Sequence, residues 1–483
     1  MSPKSALSLP SRHLTNLNFI KFVDRLPLNN WERFDIHAPR VRSLYMEQLN
    51  IVISPLIYLR IRSLRHRDTP LLPGLKEIYI PDNISLDFSS ALLLASESSL
   101  NLIQLDHSAT SERQFCIPFL FELSVNSPNL THLTLCGSAD SNMSLELVPR
   151  FRNLQSLDLR LSGTYLGSQF LQDLGKLDNL LDMTLDTSSY IEAPAPLTKQ
   201  SDLTPPTNSI FIQLRKLHIL GSPSSIIRVL DDMHVLMNLT TLLIRETQTT
   251  DDSWADTESS WKRCFAIVST FPAIEDIQIA QLERSTSGWH HHHSNHYALS
   301  TSCFYPLYKL NNVTSFVIKN STLSGSDEDF LFLACAFPKL EKFVEPCAEY
   351  REGKTLACLL HFSQANRHLR ELKISLASNI SGNLEAINLI GRSIIQDHQH
   401  PLESLHIASN FSSLNVLDMI QVAQFLDLIF PNLSTLKAYG SDTHEISSWI
   451  QIQQIRVALQ AARIKASSAI KISNDFGTRR ALT

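Results

Sequence analysis

Ser127-Pro-Asn-Leu-Thr-His-Leu-Thr-Leu-Cys-Gly-Ser138 is the stretch on which the reading of the whole chain turns. With Leu130 as position 1, apolar residues fall at positions 1, 4 and 6 (Leu130, Leu133, Leu135), and a small polar residue stands at position 9 (Ser138). Side chains alternate across a strand, so positions 4 and 6 share one face, while positions 2, 3, 5, 7 and 8 are expected to point away from the core. A polar side chain at position 9 can satisfy backbone groups where the chain turns.

The frame returns as Leu75/Ile78/Ile80, Leu154/Leu157/Leu159, Leu180/Met183/Leu185, Leu214/Leu217/Ile219 and Leu239/Leu242/Ile244. It continues as Ile274/Ile277/Ile279, Val313/Phe316/Ile318, Leu369/Leu372/Ile374, Leu402/Leu405/Ile407 and Leu433/Leu436/Ala438, with weaker copies starting at Leu102 and Leu340. Position 9 is Asn, Ser or Thr in ten of the thirteen copies, which apolar periodicity alone would not produce. This is the strand-and-turn signature of a leucine-rich repeat. Repeat starts lie 24 to 39 residues apart, room for a strand, a turn and one helix. The expected fold is therefore α/β: a leucine-rich-repeat solenoid, a ribonuclease-inhibitor-like horseshoe of about 13 irregular strand–helix repeats with helical caps.

The organisation follows from where the frame stops. Residues 1–60 are expected to be an N-terminal helical cap, in which Asn30 caps a helix starting at Trp31 and Pro39 cuts that helix short. The array is expected over 61–441, with loop insertions at 188–209, 247–258 and 284–302. Residues 442–483 are expected to form a closing helical cap and basic tail, the helical stretch running from His444 to Ile472 and containing Trp449, Ile450 and Ile455. Within the array, apolar spacing of three and four predicts helices over Gly167–Leu177, Ser224–Met237, Ser259–Phe271, Asp327–Phe337, Thr355–Ala365 and Leu414–Phe430.

The chain has 483 residues, 43% hydrophobic and 18% charged, with a net charge of −5. The charge is uneven: residues 1–70 and 451–483 are basic, leaving 25 Lys/Arg against 41 Asp/Glu between them. An acidic body argues against nucleic acid as the main ligand. Thirteen glycines leave little material for a glycine-rich phosphate loop. Seven cysteines without a Cys-x-x-Cys pair read as reduced, mostly buried thiols of an intracellular protein, cytoplasmic or nuclear. No signal-peptide order opens the chain and no apolar run approaches the roughly 20 residues of a membrane span. Nine Asn-x-Ser/Thr sequons, among them Asn129, Asn238, Asn312 and Asn432, arise mostly from the repeat's Asn-Leu-Thr/Ser wording and are expected to be unglycosylated.

Catalytic motifs are missing: there is no Gly-x-Ser-x-Gly elbow, P-loop or His-Glu-x-x-His. His290, His291, His292, His293 and His296 are the only closely spaced metal-ligand side chains. Consecutive histidines in a loop lack the fixed frame and second shell of a metal site, so the expectation is a solvated loop and no cofactor. Arg60-Ile-Arg-Ser-Leu-Arg-His-Arg67 reads as an amphipathic face. What remains is the open strand face, where the repeat constrains nothing. The candidate partner-binding residues there are Asp158, Arg160, Asp186, His218, Arg245, Lys319, Lys373, His406, Lys437 and Tyr439. Its C-terminal end is the more basic and would suit an acidic or phosphorylated partner segment.

Leu26-Pro-Leu-Asn-Asn-Trp-Glu-Arg-Phe-Asp35, then Ala38-Pro-Arg-Val-Arg-Ser-Leu44, Leu72-Pro-Gly-Leu-Lys-Glu-Ile78 and the irregular Phe-Pro-x-Leu repeats, resemble fungal, basidiomycete-type F-box/leucine-rich-repeat proteins. The resemblance implies a non-catalytic substrate-recognition subunit of a cullin-RING ubiquitin ligase, with repeats holding a protein substrate and an N-terminal F-box docking on a Skp-type adaptor. The family's opening Leu-Pro-x-Glu is not recognisable before Leu26, so the F-box is expected to be absent or degenerate in this chain. A repeat protein that binds a partner without any ubiquitin role is the alternative, and a metal-dependent enzyme using the 290–296 histidines the remote one.

Overall fold

A computed structural model describes residues 29–45, 71–80, 100–105, 113–138, 145–162, 166–188, 211–233, 236–247, 254–281, 298–320, 322–345, 354–376, 400–409, 414–439 and 443–480. The chain divides into two compact units, Met1–Lys199 and Gln200–Thr483. The first begins with helix α1 (Asn29–His37), a 3-10 turn (Ala38–Arg40) and strands β1 (Ser43–Tyr45), β2 (Glu77–Ile80) and β3 (Leu102–Leu105). Helix α2 (Arg113–Asn126), β4 (His132–Ser138), a 3-10 turn (Val148–Arg150), β5 (Ser156–Ser162), α3 (Ser168–Leu174) and β6 (Asp182–Asp186) complete it. These strands lie parallel and in sequence order.

The second unit opens with β7 (Lys216–Gly221), α4 (Pro223–Asp232), β8 (Thr241–Glu246), α5 (Trp254–Val268) and β9 (Asp276–Gln281). Then come β10 (Ala298–Ser300), a 3-10 helix (Thr301–Lys309), β11 (Ser315–Lys319), β12 (Thr322–Ser324), α6 (Asp327–Ala336) and β13 (Lys342–Val344). It closes with α7 (Ala357–Ala365), β14 (Glu371–Leu376), β15 (Ser404–Ser409), α8 (Val416–Ile429), β16 (Thr435–Tyr439) and α9 (Thr443–Arg480). Its sheet runs β7-β8-β9-β11-β13-β14-β15-β16, all parallel, while β10 and β12 pair with each other.

Within each unit, like positions of the repeat face like. Leu133 pairs with Leu157 and Leu157 with Met183. Ile277 pairs with Leu242 and Phe316, Leu372 with Phe343 and Leu405, and Leu405 with Leu436. The lock is at the strand entry. The N–H at position 1 closes a turn onto the carbonyl three residues back, as in Leu154 to Phe151 (3.0 Å). The N–H groups at positions 2 and 3 then both donate to the position-2 carbonyl of the preceding repeat. Gln155 and Ser156 meet Thr131 in this way, and Arg370 and Glu371 meet Glu341.

Side chains reinforce the lock and explain the Asn-Leu-Thr wording. Asn153, Asn179, Asn238, Asn312 and Asn432, each just before position 1, donate Nδ2–H to carbonyls of Pro128, Arg152, Ile212, Pro272 and His400 in the preceding turn. The position-2 hydroxyls of Thr131, Thr240, Thr314 and Ser434 donate to the preceding position-2 carbonyl. Below this edge, most side chains at positions 1, 4 and 6 are buried, joined by the turn residues Phe151, Phe211, Phe271, Phe337 and Phe430, while Val41, Leu44, Leu436 and Ala438 in the end copies are half-buried. In the second unit Phe265, Phe304, Phe316, Phe343 and Phe362 form a continuous aromatic stack with centroids 5.0 to 6.0 Å apart. Truncating one such core side chain to Ala would cost about 2–5 kcal/mol.

Several expectations are corrected. The copy at Leu102 is two residues out: Ile103 pairs with Leu133, so the frame there is Leu100/Ile103/Leu105, all fully buried. The array also starts earlier, because Val41/Leu44 falls in the same frame and β1 pairs residue for residue with β2. Helix α1 begins at Asn29, which puts Asn30 inside it and not at its cap. Gly74 is pressed against this entry; a Cβ there would lie 2.1 Å from the Pro39 carbonyl oxygen. Trp254–Glu258, assigned to a loop insertion, opens α5, and Ala298–Ser302 forms β10 and the start of a 3-10 helix. Residues 248–253, 284–297 and 189–209 of the expected insertions lie outside the described residues. Helix α2 carried no flag in the sequence. Cys335 is exposed, unlike Cys136, Cys264, Cys303 and Cys358.

Position 9 does not have one job. Ser222 caps α4 by accepting from the Ser225 N–H, whereas the Thr247 hydroxyl has no hydrogen-bond partner among the described residues and Ser188 is exposed, bonding through its backbone N–H to Asp186. On α9 the buried residues are Trp449, Ile452 and Arg456, with Ile450 turned out at 53% exposure.

The repeat of β14 replaces the turn phenylalanine with Asn366, fully buried. Its amide donates to the Ala334 and Phe337 carbonyls, and its own carbonyl faces His400 Nε2 at 3.0 Å. His400 Nδ1 accepts from the Leu402 N–H, so the ring serves only when neutral. Burial pushes its pKa down to about 4. The unfolded chain, with His near 6.5, then binds more protons than the folded one between the two values. Stability contributed by neutral His400 is complete above about pH 6.5 and declines by about 3 kcal/mol towards pH 4. Urea midpoints measured from pH 7.5 to 4.5 are expected to fall less steeply in His400→Gln; equal slopes would contradict the relay.

Candidate binding face

Because registers align, positions 3, 5 and 7 form rows across each sheet on the face opposite the apolar positions. In the first unit, Tyr45 and Tyr79 stack at 4.4 Å, and the Ser43 hydroxyl donates to Glu77 (2.7 Å). Arg160 forks onto Asp158 with Nε and NH2 bonds of 2.9 and 2.8 Å, so these two candidates are matched to each other. Asp186 Oδ1 accepts from the Ser188 N–H. In that unit the candidate charges are largely committed within the chain.

The second unit differs. Position 5 runs Leu243 (β8), Gln278 (β9), Val317 (β11), Val344 (β13), Lys373 (β14), His406 (β15) and Lys437 (β16). Lys373 Nζ sits 4.7 Å from the centre of the Tyr439 ring. That ring also stacks on His406 at 5.5 Å, and its hydroxyl lies 3.1 Å from His406 Nδ1. His406 Nε2 meets the Ser404 hydroxyl at 2.9 Å. At position 3, Lys342 pairs with Glu371 at 2.7 Å. The structure thus brings together Lys373, His406, Lys437 and Tyr439 of the predicted set. His218 (half-buried on β7), Arg245 on β8 and Lys319 on β11 stand apart from them along the sheet, the latter two exposed.

Sequence reasoning missed Lys342, Glu371 and Ser404, which writing out position 3 beside position 5 would have found. It also over-counted position 7: Cys136, Leu220, Ser375 and Ala408 are buried, while Arg160, Arg245, Lys319 and Tyr439 at the same position are exposed. The copy at Leu340 hides a further departure. Its position 6 is Glu345, fully buried, with Oε1 held by Lys354 Nζ and by the Ser375 N–H (2.7 Å). Burial pushes the Glu345 carboxyl up, against the pull of Lys354.

His290–His293 and His296 lie outside the described residues; among the described residues no group of three or more His, Cys, Asp or Glu could hold a metal ion. Among the described residues no helix is long and apolar enough to cross a membrane. A cleft of about 680 Å³ in the first unit runs past Arg150, Asn153, Lys176 and Asn179. Lys176 there is paired with Asp173 at 2.6 Å, and both asparagines are spent on carbonyls of the preceding turn.

No family model and no curated protein matches this chain. Among solved structures, the leucine-rich repeat domain of APL1B is similar over 87% of this chain and 94% of its own, at 10% identity and a TM-score of 0.33. A sugar phosphate isomerase/epimerase from Parabacteroides distasonis is similar over 62% of this chain and 94% of its own, at 9% identity and a TM-score of 0.15. Neither score is high enough to bear on fold or activity.

Partial burial holds the His406 pKa below its usual value, and the positive charges of Lys437, Lys373 and Lys342 push the same way against Glu371. A histidine titrated by NMR should therefore show a midpoint below 6.5, and Lys437→Ala should raise it. A midpoint unchanged by that substitution would show that the two side chains do not share a site.

Proposed function

We propose that this chain is a leucine-rich-repeat scaffold that holds a protein partner on the open strand face of its second unit, as the substrate-recognition subunit of an F-box-type ubiquitin ligase. The observation that carries the scaffold reading is the convergence of Lys373, His406, Lys437 and Tyr439 on adjacent strands. A frame-constrained sheet needs no such cluster for folding, and its lysines and aromatic ring are the side-chain types that dock a charged partner. The ubiquitin-ligase part is supported by the Trp31-Glu-Arg-Phe34 and Arg40-Val-Arg-Ser-Leu44 wording. Those residues form α1 and lead directly into β1, where a linker from a docking unit to the array belongs.

A repeat scaffold without a ubiquitin role is the second reading. Co-expression of the full chain with a Skp-type adaptor separates the two. The first expects a stoichiometric complex that survives gel filtration and is lost on deleting residues 1–40. No complex would leave the plain scaffold. The scaffold itself would be overturned if identified partners of the full chain bound equally well to Lys373→Glu/Lys437→Glu and to Arg245→Glu/Lys319→Glu.

A further inference from the structure

The position-5 row in the second unit changes character along its length. Val317 on β11 and Val344 on β13 give it an apolar floor; Lys373, His406 and Lys437 on β14, β15 and β16 give it a cationic end. Val317 is only 6% exposed although its side chain is on the open face, so it lies at the bottom of the row and does not project from it. Lys342 is balanced by Glu371, which leaves Lys373 and Lys437 as the surplus charges. These two sit on alternate strands, and so do Val317 and Lys373.

That spacing selects a ligand geometry. Adjacent strands lie about 4.8 Å apart, so residues on alternate strands are about 9.6 Å apart. A polyproline II segment repeats every three residues at about 3.1 Å each, returning a side chain to the same side every ~9.3 Å. On the backbone these two lysines are separated by the whole width of β15, and two single charges three residues apart match that spacing. The site's own Lys342–Glu371 pair shows a carboxylate seated on this face at 2.7 Å.

We propose that this face binds an acidic, extended segment of a partner protein in the polyproline II conformation, with an apolar residue over Val317 and Val344 and carboxylates three and six residues later at Lys373 and Lys437. This rests on the scaffold reading above and names its partner's chemistry. Tyr439 holds one of the two lysines: its ring seats Lys373 while its hydroxyl is tied to His406, so the ammonium keeps its N–H donors for the ligand.

The test uses the full chain and fluorescently labelled synthetic peptides Leu-Pro-Pro-Glu-Pro-Pro-Glu, its Gln-for-Glu counterpart, and Leu-Pro-Glu-Pro-Glu, in which the carboxylates fall two residues apart. Anisotropy titration is expected to give the first peptide at least about fivefold tighter binding than the other two, with the advantage shrinking as salt is raised. Lys437→Glu, an exposed position, should remove that advantage, and Lys176→Glu in the first unit should leave it intact. Equal binding of the Glu and Gln peptides, no binding of any, or an advantage that survives Lys437→Glu would overturn the proposal. None of those results touches the scaffold reading, which falls only on partner capture that ignores the face variants.

Discussion

One carbonyl per repeat holds this protein in register. The position-2 oxygen of each turn receives two backbone N–H groups from the next, at distances such as 2.9 and 3.0 Å from Thr240 to Glu275 and Asp276. Two backbone donors converging on one carbonyl leave one geometry for the incoming strand. A slip by one residue would turn every apolar side chain to the open face. The asparagine before position 1 and the hydroxyl at position 2 add side-chain bonds to the same edge. Apolar burial supplies the driving force, and this edge decides which alignment it stabilises.

The departures from the apolar frame are concentrated late in the second unit. Glu345 takes a core leucine's place and is held by buried Lys354, which also donates to the Leu323 carbonyl and lies over the Phe330 ring. Asn366 stands in place of a turn phenylalanine, and with His400 it ties four successive turns together. Arg456 is fully buried where α9 covers α8, with Gln453 on its Nε and burial lowering its pKa. Buried charges of this kind are costly to desolvate and add little net stability, while removing one partner is expensive. They fix a unique arrangement around β13 to β16, the strands whose open face carries Lys373, His406 and Lys437.

Much of this was legible in the sequence. Among the described residues, six of the seven array helices could be placed, to within a few residues in most cases, because their apolar spacing is set by the same core the strands face. The exception, α2, is apolar nearly all round, with exposed Phe121 and Val125 beside buried Leu120 and Leu123, so no stripe marks it. The Leu102 copy was misplaced because leucines stand at both 100 and 102, and only pairing with β4 separates them. Glu345 read as a weak copy because the frame has no place for a charge whose partner stands nine residues later. For the face, the strands could be lined up from sequence, which is why position 5 emerged correctly. What could not be read was the reach of side chains between strands, such as Tyr439 folding back over His406 towards Lys373.

The proposed binding face depends on that alignment, since Lys373, His406 and Lys437 are neighbours only if β14, β15 and β16 share one register. The measurement that tests this most directly is thiol cross-linking with a short bifunctional reagent in a Cys335→Ser background. Lys373→Cys with His406→Cys places two thiols about 5 Å apart on the open face of adjacent strands, and a linked peptide pair is expected by mass spectrometry. Lys373→Cys with Leu405→Cys places the second thiol in the core and should give no link. A link in the second pair and none in the first would contradict the register and the binding face built on it.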